Sequence, residues 1–343
     1  MVHRVQIIRI IAETSEAKTF VLQPLDDWNP VYKPGQFLTL VFSTISGEKR
    51  RSYSISSSPL LSEQLSITIK RVVNGEFSRN LLENYNEGDI LYTTGINGFF
   101  CLPEKVTDDM QFFFLVAGSG ITPAYPLIKT LLKNSNARVV LIYSNRSEAD
   151  AIFLEEIKRL HEMYAGRFDI ELLFSNRLDV HRSRLSNSLL QSLLLKYLAV
   201  QQSQAMFYIC GPLTYMQMAV ITLISEGIDR QRIKTESFDS TPRSRRNVPP
   251  DTSRRNVTIH FNNDKYKLAV QYPQTILDAA REKGIDLPYS CDAGRCGSCV
   301  ATCTSGRVWM AYNEVLMDAE INKGLILTCQ AHPVDGDVTI RVD

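Results

Sequence analysis

The chain has 343 residues, 44% of them hydrophobic, and its 38 Lys and Arg nearly balance 37 Asp and Glu, which leaves a net charge of +1. This length is enough for two or three buried cores, and the near-neutral charge argues against a nucleic-acid partner, which would require a strongly basic face. The seven cysteines, an odd number, predict a cytoplasmic protein without structural disulfides. No apolar stretch approaches the ~18 residues of a membrane span, so no membrane contact is predicted.

The first part of the chain, residues 1–105, has the pattern of β structure. Its apolar runs are short, and turn-forming residues such as those at 33–36 separate them. Several short strands at this spacing predict a small antiparallel barrel, with one helix at residues 77–84. The predicted strands lie at residues 5–11, 19–22, 37–42 and 65–70.

Two polar motifs lie within the predicted barrel. Arg51, Tyr53 and Ser54 place a cation, an aromatic ring and a hydroxyl at one strand end. An arginine is suited to holding a diphosphate, and an aromatic face can stack on a flat ring system. Further on, Gly75 and Ser78 lie at the start of the helix, whose N-terminal amides attract anions. Together the motifs favour a nucleotide-like ligand over a strand that merely exposes polar residues.

From about residue 106 the pattern changes to alternating strands and helices. Residues 112–117 are an unbroken apolar run, typical of a buried parallel strand, and lead through G-S-G-I-T-P at 118–123 into a helix. Glycines there let the backbone approach a phosphate, although any tight strand–helix turn uses them. Three further pairs predict an open, mostly parallel α/β sheet. They lie at residues 138–143 with 151–163, 168–174 with 186–197, and 205–210 with a helix through residue 225.

A stretch without apolar periodicity separates this sheet from the C-terminal part. Residues 240–256 contain five arginines but no interleaved aromatic residues, which favours a solvated tether over a nucleic-acid site. Residues 257–343 then predict a hairpin, a helix at 275–283 and a closing strand at 337–342. This part is acidic, with 8 Lys and Arg against 11 Asp and Glu, a balance of −3.

Four cysteines carry the most specific chemistry in the chain. Cys291, Cys296 and Cys299 have the C-x4-C-x2-C spacing of a plant-type [2Fe–2S] cluster, and Cys329 supplies the distant fourth thiolate. Two irons need four thiolates, three of them from one tightly turning loop. A zinc site, which commonly shows paired C-x2-C units, and a disulfide framework are the less favoured alternatives. Cys303 is predicted to be a spare thiol.

These motifs resemble those of known families. The cysteine spacing makes residues from about 256 to 343 similar to a plant-type ferredoxin. The R-x-Y-S motif at 51–54, the G-x-x-S-x-x-L motif at 75–81, the G-x-G-I-T-P segment and the C-G-P at 210–212 resemble the ferredoxin–NADP reductase family. In this domain order the chain is similar to reductase components of bacterial oxygenases, especially those of phenylacetyl-CoA epoxidases. Reductases of ketosteroid hydroxylases and of hybrid-cluster protein share the layout.

The resemblance implies a role for each motif. Arg51 would hold the FAD pyrophosphate, Tyr53 would stack on the isoalloxazine and Ser54 would bond the flavin N5 edge. Cys210 would lie at the nicotinamide and Glu236 near the flavin, so Ser54, Cys210 and Glu236 are the predicted catalytic residues. The predicted cofactor-binding residues are Arg51, Tyr53, Ser54, Lys70, Val72, Gly75, Ser78, Gly118, Gly120, Thr122, Pro123, Arg146, Ser175, Arg177, Gly211 and Pro212. The predicted cluster ligands are Cys291, Cys296, Cys299 and Cys329.

The coenzyme predicted from the strand ends is NADPH. An NAD site commonly presents an acid to the ribose 2′-OH, roughly 20 residues beyond the glycines, whereas no acid occupies residues 144–146. In the family a Ser-Arg pair after the next strand holds the 2′-phosphate. This chain has Ser175 and Arg177 there, with Asn176 inserted between them.

The predicted function is electron transfer from NAD(P)H to FAD, to a [2Fe–2S] cluster and on to a protein acceptor, an oxygenase component. The predicted multidomain fold has four parts. They are an FAD-binding antiparallel β-barrel at 1–105, an NAD(P)-binding parallel-sheet α/β domain at 106–239, a linker at 240–256 and an α+β, β-grasp ferredoxin domain at 257–343. The alternative from a different class is a zinc-stabilised, nucleotide-sensing interaction module that has lost its flavin.

Overall fold

The computed structural model describes residues 2–45, 47–177, 180–239 and 248–342, with residues 180 and 181 described by their backbone only. The chain forms two compact units, Met1–Ser237 and Phe238–Asp343. The first unit contains both predicted nucleotide-binding sheets, and the second contains the cysteine motif.

Six antiparallel strands form the first sheet: β1 (His3–Thr14), β2 (Ala17–Pro24), β3 (Phe37–Thr44), β4 (Gly47–Ser54), β5 (Ser66–Lys70) and β6 (Ile90–Asn97). Their order is β4-β3-β6-β1-β2-β5. A bridge between Ile55 and Ile67 brings the two edge strands together, so the sheet closes into the predicted barrel. Helix α1 (Glu76–Asn84) packs Phe77 and Leu81 into the barrel core. The barrel prediction is confirmed.

Five parallel strands form the second sheet: β7 (Gln111–Ala117), β8 (Arg138–Asn145), β9 (Phe168–Phe174), β10 (Ala205–Cys210) and β11 (Ile233–Glu236). Their order is β11-β10-β7-β8-β9, which confirms the open parallel sheet. The connecting helices are α2 (Ile121–Asn134), α3 (Leu154–Met163), α4 (Val180–Ser183), α5 (Asn187–Tyr197) and α6 (Leu213–Ser225). No helix among the described residues is both long and apolar enough to cross a membrane.

The unbroken apolar run of β7 follows from burial on both faces of this sheet. Phe112 and Phe114 belong to one core cluster, whereas Phe113 and Leu115 belong to the cluster on the opposite face. Helix α3 begins three residues later than predicted because Phe153 before it takes a left-handed conformation, with φ of +60°.

Buried polar contacts hold the barrel and the parallel sheet together within the first unit. Lys129 on α2 forms an ion pair of 2.7 Å with Glu63 and lies over the Tyr125 ring. Beside it, the hydroxyls of Ser58 and Thr130 are 2.8 Å apart and both buried. Burial lowers the pKa of Lys129, and the Glu63 carboxylate opposes that shift. The pair therefore satisfies a charge that would otherwise be costly to bury.

A mixed five-stranded sheet forms the second unit, with strands β12 (Arg255–Phe261), β13 (Asp264–Val270), β14 (Val300–Met310), β15 (Leu325–Leu327) and β16 (Ala331–Arg341). Their order is β13-β12-β16-β14-β15, and β12 pairs with β16 in parallel. Helix α7 (Ile276–Glu282) begins with a capping box between Thr275 and Asp278, and α8 (Asp318–Ile321) is a single turn. The predicted β-grasp fold is confirmed.

The predicted linker at 240–256 is only partly within the described residues, because 240–247 lie outside them. Its last residues are ordered against the second unit. The Asp251 carboxylate accepts hydrogen bonds from the Ser253 N–H and the Arg255 guanidinium at 2.8 Å, and from the Asp335 N–H at 3.2 Å. Strand β12 accordingly starts at Arg255, two residues inside the predicted linker, and the domain bounds stay a prediction.

Gly35→Ala is expected to destabilise the first unit more than Gly88→Ala. Both glycines are left-handed, with φ of +87° and +97°, so both substitutions carry the same backbone cost of roughly 1 kcal/mol. Only at Gly35 would the new methyl group meet backbone, 2.0 Å from the Phe100 carbonyl oxygen, whereas nothing among the described residues lies within 4 Å at Gly88. We expect an additional loss of about 1–3 kcal/mol at Gly35, measured by calorimetric unfolding. Equal shifts of the unfolding midpoint would contradict this packing.

Candidate functional site

A hydrogen bond joins the barrel to the parallel sheet at the ends of two strands. Ser54 closes β4 and Glu236 closes β11, 182 positions later, and the Ser54 hydroxyl donates to the Glu236 carboxyl at 3.1 Å. Both residues are buried, with 3% and 9% of their surface exposed. Burial raises the pKa of Glu236 to about 8, and the Ser54 hydrogen bond opposes that shift. At neutral pH this carboxyl therefore holds a proton.

Cys210 lies beside this pair at the end of β10, directly opposite Glu236 in the parallel register. Its thiol is fully buried, and burial, followed by the nearby Glu236 charge, raises its pKa. An added Cβ on Gly120 would lie 2.0 Å from the Cys210 carbonyl oxygen, so only glycine permits this approach of the two backbones. Gly211 and Pro212 continue from Cys210 into α6, with Pro212 as its N-cap.

The glycine turn after β7 occupies the same edge of the sheet. Gly118–Gly120 form a single 3-10 turn that runs directly into α2. The Lys70 ammonium approaches from the barrel, 3.8 Å from where a Cβ on Gly118 would lie. Thr122 and Pro123 are buried in the first helical turn, and the Thr122 hydroxyl donates to a backbone carbonyl three residues earlier at 2.8 Å. Thr122 and Pro123 therefore shape the turn rather than present a polar side chain.

Arg51 and Tyr53 are two positions apart on β4, so their side chains share one face of the strand. The Arg51 guanidinium lies 4.7 Å from the centre of the Phe77 ring, which belongs to the first turn of α1. It also donates to the backbone carbonyl of the preceding residue at 2.7 Å. The barrel thus fixes a cation beside a helix N-terminus, and the Tyr53 ring packs against the barrel core.

Val72, Gly75 and Ser78 form the turn that starts α1. The Ser78 hydroxyl accepts the Val72 N–H at 3.1 Å, and Gly75 is the N-cap of the helix. An added Cβ on Gly75 would lie 2.7 Å from the Ser78 hydroxyl and 3.0 Å from the Val72 carbonyl oxygen. These contacts leave the α1 amides beside Arg51, a suitable place for a phosphate.

The ends of β8 and β9 bring together residues that are distant in sequence. Past the strands, the Asn176 N–H still donates to the Arg146 carbonyl at 3.0 Å. Arg177 forms a 3.0 Å ion pair with Glu148, an acid that the strand-end pattern missed. Glu148 lies only two residues after Arg146 in the sequence, but nothing local shows that it faces Arg177. Ser175 is half-buried at the end of β9.

The cysteine loop brings the four predicted ligands into two pairs. The thiols of Cys299 and Cys329 are 3.2 Å apart, and those of Cys291 and Cys296 are hydrogen-bonded to each other. The hydrogen bond from the Cys296 thiol lowers the pKa of Cys291, burial opposes that shift, and backbone N–H donors add to it. Backbone amides also donate to the Cys291 and Cys296 sulfurs, each at 3.4 Å.

This donor set fits a [2Fe–2S] cluster. Two irons need four thiolates, and two adjacent pairs of cysteines supply them. The loop turns through left-handed residues at Asp292, Gly294 and Gly297, with φ of 53°, 72° and 77°. The Cys303 thiol instead contacts the carbonyls of Ser305 and Gly306, at 3.5 and 3.7 Å, on strand β14.

Arg295, within the cysteine loop, has a structural role that sequence reasoning missed. Its side chain is only 2% exposed and forms ion pairs with Asp239 at 2.8 Å and Glu314 at 3.2 Å. A buried guanidinium needs such partners. The signal in the sequence was a charge placed between cluster cysteines, but its two acidic partners lie far away along the chain.

Three protein families match consecutive parts of the chain. Residues 7–101 match the oxidoreductase FAD-binding domain, 114–220 the oxidoreductase NAD-binding domain, and 259–334 the 2Fe-2S iron-sulfur cluster binding domain. The fold and these matches define an oxidoreductase whose cofactors are FAD, a nicotinamide coenzyme and a [2Fe–2S] cluster. The zinc-stabilised alternative has no such support.

Relatives of similar length share the whole arrangement. The chain is 32% identical to the ferredoxin reductase component of 3-ketosteroid-9-alpha-monooxygenase from Rhodococcus rhodochrous, over 97% of this chain and 94% of the relative. It is also 32% identical to one of the subunits of 1,2-phenylacetyl-CoA epoxidase from Escherichia coli (strain K12), over 99% and 98%. The chain therefore belongs to the family of electron-transfer reductase components that combine FAD-binding, NAD-binding and [2Fe–2S] domains, as predicted.

A solved structure agrees with the fold. Phthalate dioxygenase reductase, described as a modular structure for electron transfer from pyridine nucleotides to [2Fe–2S], matches with a TM-score of 0.59 and 20% identity. The match covers 99% of this chain and 97% of that one. At this identity the likeness concerns the fold alone.

Replacing any one of the four paired cysteines by serine is expected to remove most of the cluster iron. Each substitution removes one of four thiolates, and because metal binding is coupled to folding, the second unit should also melt at a lower temperature. Iron per chain and the electron paramagnetic signal of the reduced protein measure the effect. Cys303→Ser is the control and should keep both. Normal iron in Cys329→Ser, or its loss in Cys303→Ser, would contradict the assignment.

Glu236→Gln is expected to flatten the dependence of stability on pH. The pKa of Glu236 rises from an ordinary 4.5 to about 8 in the folded chain, so between these values the folded state binds more protons and stability falls as pH rises. Glutamine removes that loss, which amounts to roughly 5 kcal/mol above pH 8. Melting temperatures from pH 5 to 9 test this, with exposed Glu162→Gln as the control. Parallel curves for the parent and Glu236→Gln would contradict the raised pKa.

Proposed function

We propose that this chain takes electrons from NADPH and delivers them, through FAD and the [2Fe–2S] cluster, to a separate oxygenase component. The observation that carries the proposal is the meeting of Ser54, Cys210 and Glu236 at one edge of the parallel sheet. Ligands of open α/β sheets bind outside the carboxyl ends of the strands, so a flavin on the barrel and a nicotinamide on the sheet would meet there. When bound, a flavin accepts hydride and releases electrons singly, as a [2Fe–2S] cluster requires.

The barrel residues would hold the FAD. Arg51, fixed over Phe77 at the N-terminus of α1, is placed to hold the pyrophosphate together with the helix amides. Gly75 would let the phosphates approach the backbone. Tyr53, two residues along the same face of β4, offers its ring for stacking on the isoalloxazine. Lys70 adds a positive charge where the barrel meets the glycine turn.

Ser54 and Glu236 would hold and move a proton at the flavin N5 edge. A buried carboxyl with a pKa of about 8 is protonated at neutral pH, and the Ser54 hydroxyl, which donates to this carboxyl, would relay a proton between Glu236 and the flavin. Cys210 stays a neutral thiol because burial raises its pKa. It would therefore help to position the nicotinamide by packing, and the chain needs no nucleophile.

The coenzyme and cluster residues complete the proposed path. The turn Gly118–Gly120 and the N-terminus of α2 would receive the coenzyme phosphates, and Ser175, Arg177 and Arg146 would hold the 2′-phosphate of NADPH. The two cysteine pairs of the second unit would each supply two thiolates to the cluster.

The acceptor is proposed to be an oxygenase component. The sequence pattern favours a phenylacetyl-CoA epoxidase, and the equal identity to a ketosteroid monooxygenase reductase supports that second partner just as well. Residues 257–343 carry 8 Lys and Arg against 11 Asp and Glu, so we expect a basic docking patch on the partner. None of the seven cysteines, all of which lie among the described residues, forms a disulfide, which suits the cytoplasm as the proposed location.

A chain ending at Ser237 is expected to reduce ferricyanide with NADPH at the parent's rate but to fail with an oxygenase partner. The first unit is compact by itself and contains every residue proposed for flavin and coenzyme.

The full chain should support the oxygenase component of either a phenylacetyl-CoA epoxidase or a ketosteroid monooxygenase, and the faster of the two identifies the partner class. Partner-coupled rates should fall with added salt, whereas ferricyanide rates should hardly change. Full partner activity in the shortened chain would refute the role of the second unit.

A further inference from the structure

An exposed ion pair lies at the ends of β8 and β9. Arg177 Nη2 is 3.0 Å from the Glu148 carboxylate, and the two side chains are 53% and 58% exposed. Glu148 begins the 3-10 turn Glu148–Asp150, and the second acid of that turn, Asp150, accepts a 2.6 Å bond from Ser147. Among the acids of this turn, Glu148 is thus the one directed to the arginine.

The position of this pair relates it to the coenzyme. In the parallel register, Ala117 at the end of β7 lies opposite Ser144 on β8. The Gly118 turn, where the coenzyme phosphates would lie, therefore neighbours the strand end that leads to Glu148. Arg177 in turn lies over the Phe174 ring, with 4.7 Å between the guanidinium carbon and the ring centre. This stacking limits how far the guanidinium moves to meet a ligand.

We propose that Glu148 is a specificity-determining residue that restrains the preference of this chain for NADPH. The proposal rests on the proposed function, in which Arg177 receives the 2′-phosphate. Glu148 holds Arg177 through this ion pair, so a 2′-phosphate must displace the carboxylate before the guanidinium can bind it. The ribose 2′-OH of NADH instead donates a hydrogen bond to a carboxylate at this place. The Glu148–Arg177 pair thus weakens the binding of NADPH and strengthens the binding of NADH.

The magnitude of the effect follows from the exposure of the pair. An ion pair of this exposure is weak, because solvent screens the two charges, so a 2′-phosphate can displace Glu148 rather than be excluded by it. We expect Glu148→Gln to raise kcat/KM for NADPH by about fivefold, through KM, and to lower kcat/KM for NADH by a similar or smaller factor. The preference for NADPH should widen accordingly.

The test uses the full chain with Glu148→Gln, Arg177→Gln and the double variant. Glu155→Gln is the matched control, because Glu155 is an exposed acid of the same unit that pairs with Lys158 at 2.9 Å. Ferricyanide reduction with NADPH and NADH gives the kinetic ratio. Calorimetric binding of 2′,5′-ADP and 5′-ADP gives a readout independent of turnover. Glu148→Gln should tighten 2′,5′-ADP about fivefold and weaken 5′-ADP by a similar or smaller factor, and the gain for 2′,5′-ADP should vanish in the double variant.

Two results would overturn the inference: equal changes for both coenzymes in Glu148→Gln, or tighter 2′,5′-ADP binding that persists without Arg177. An effect of the same size in Glu155→Gln would also overturn it, since net charge alone would then explain the change. Failure of both coenzymes to support ferricyanide reduction, with the ADP binding differences intact, would contradict the proposed function and support the role of Glu148.

Discussion

The hydrogen bond from Ser54 to Glu236 is the contact on which the architecture of the first unit depends. Its two partners close strands of different sheets, and both are buried, so any sliding of the barrel against the parallel sheet would leave a carboxyl without its donor. An unpaired buried carboxyl is costly, and the chain limits that cost by keeping Glu236 protonated. The Lys129–Glu63 ion pair elsewhere on the same interface adds a second restraint.

In the second unit the central buried polar contact involves a charged side chain, Arg295, whereas in the first unit it involves the neutral acid Glu236. Arg295 is buried among the cluster cysteines, and its carboxylate partners Asp239 and Glu314 come from before and after the loop. A guanidinium offers five donors in a fixed plane, so one side chain can bond several segments at once. The cysteine loop is therefore held at its centre by acidic residues from both sides of the sequence, which helps to keep the four thiols in their two pairs.

Burial separates the parts of the proposed site that are fixed from those that are adjustable. The Cys210 carbonyl lies too close to Gly120 for any side chain to fit at that position. Close-packed contacts of this kind resist substitution. The Glu148–Arg177 pair, in contrast, is exposed and exchanges partners at little cost. Within one nucleotide-binding sheet, the geometry that would place the reacting ring is thus rigid, whereas the contacts that would select between coenzymes are easily altered.

Local pattern in the sequence determined the three fold types. Hydrophobic periodicity over a few residues indicated the barrel, the parallel sheet and the β-grasp unit, and the spacing of the cysteines indicated a cluster. The tight turns were also predictable, because the Gly35 turn and the turn Gly118–Gly120 depend on their own backbone conformations. Strands β6, β11, β14 and β15 were not predicted, and the roles assigned to the site residues stay predictions.

Only the tertiary structure decided which side chains meet. Ser54 and Glu236 are 182 positions apart, and their contact depends on how the barrel docks on a sheet whose strand order is β11-β10-β7-β8-β9. The pairing of Glu148 with Arg177 depends on the same strand order, because neighbouring strands in the sheet are joined by long crossover helices. Periodicity and motif spacing describe interactions over a few residues along the chain. They contain no information about which strand ends become neighbours, which is settled by packing of the whole core.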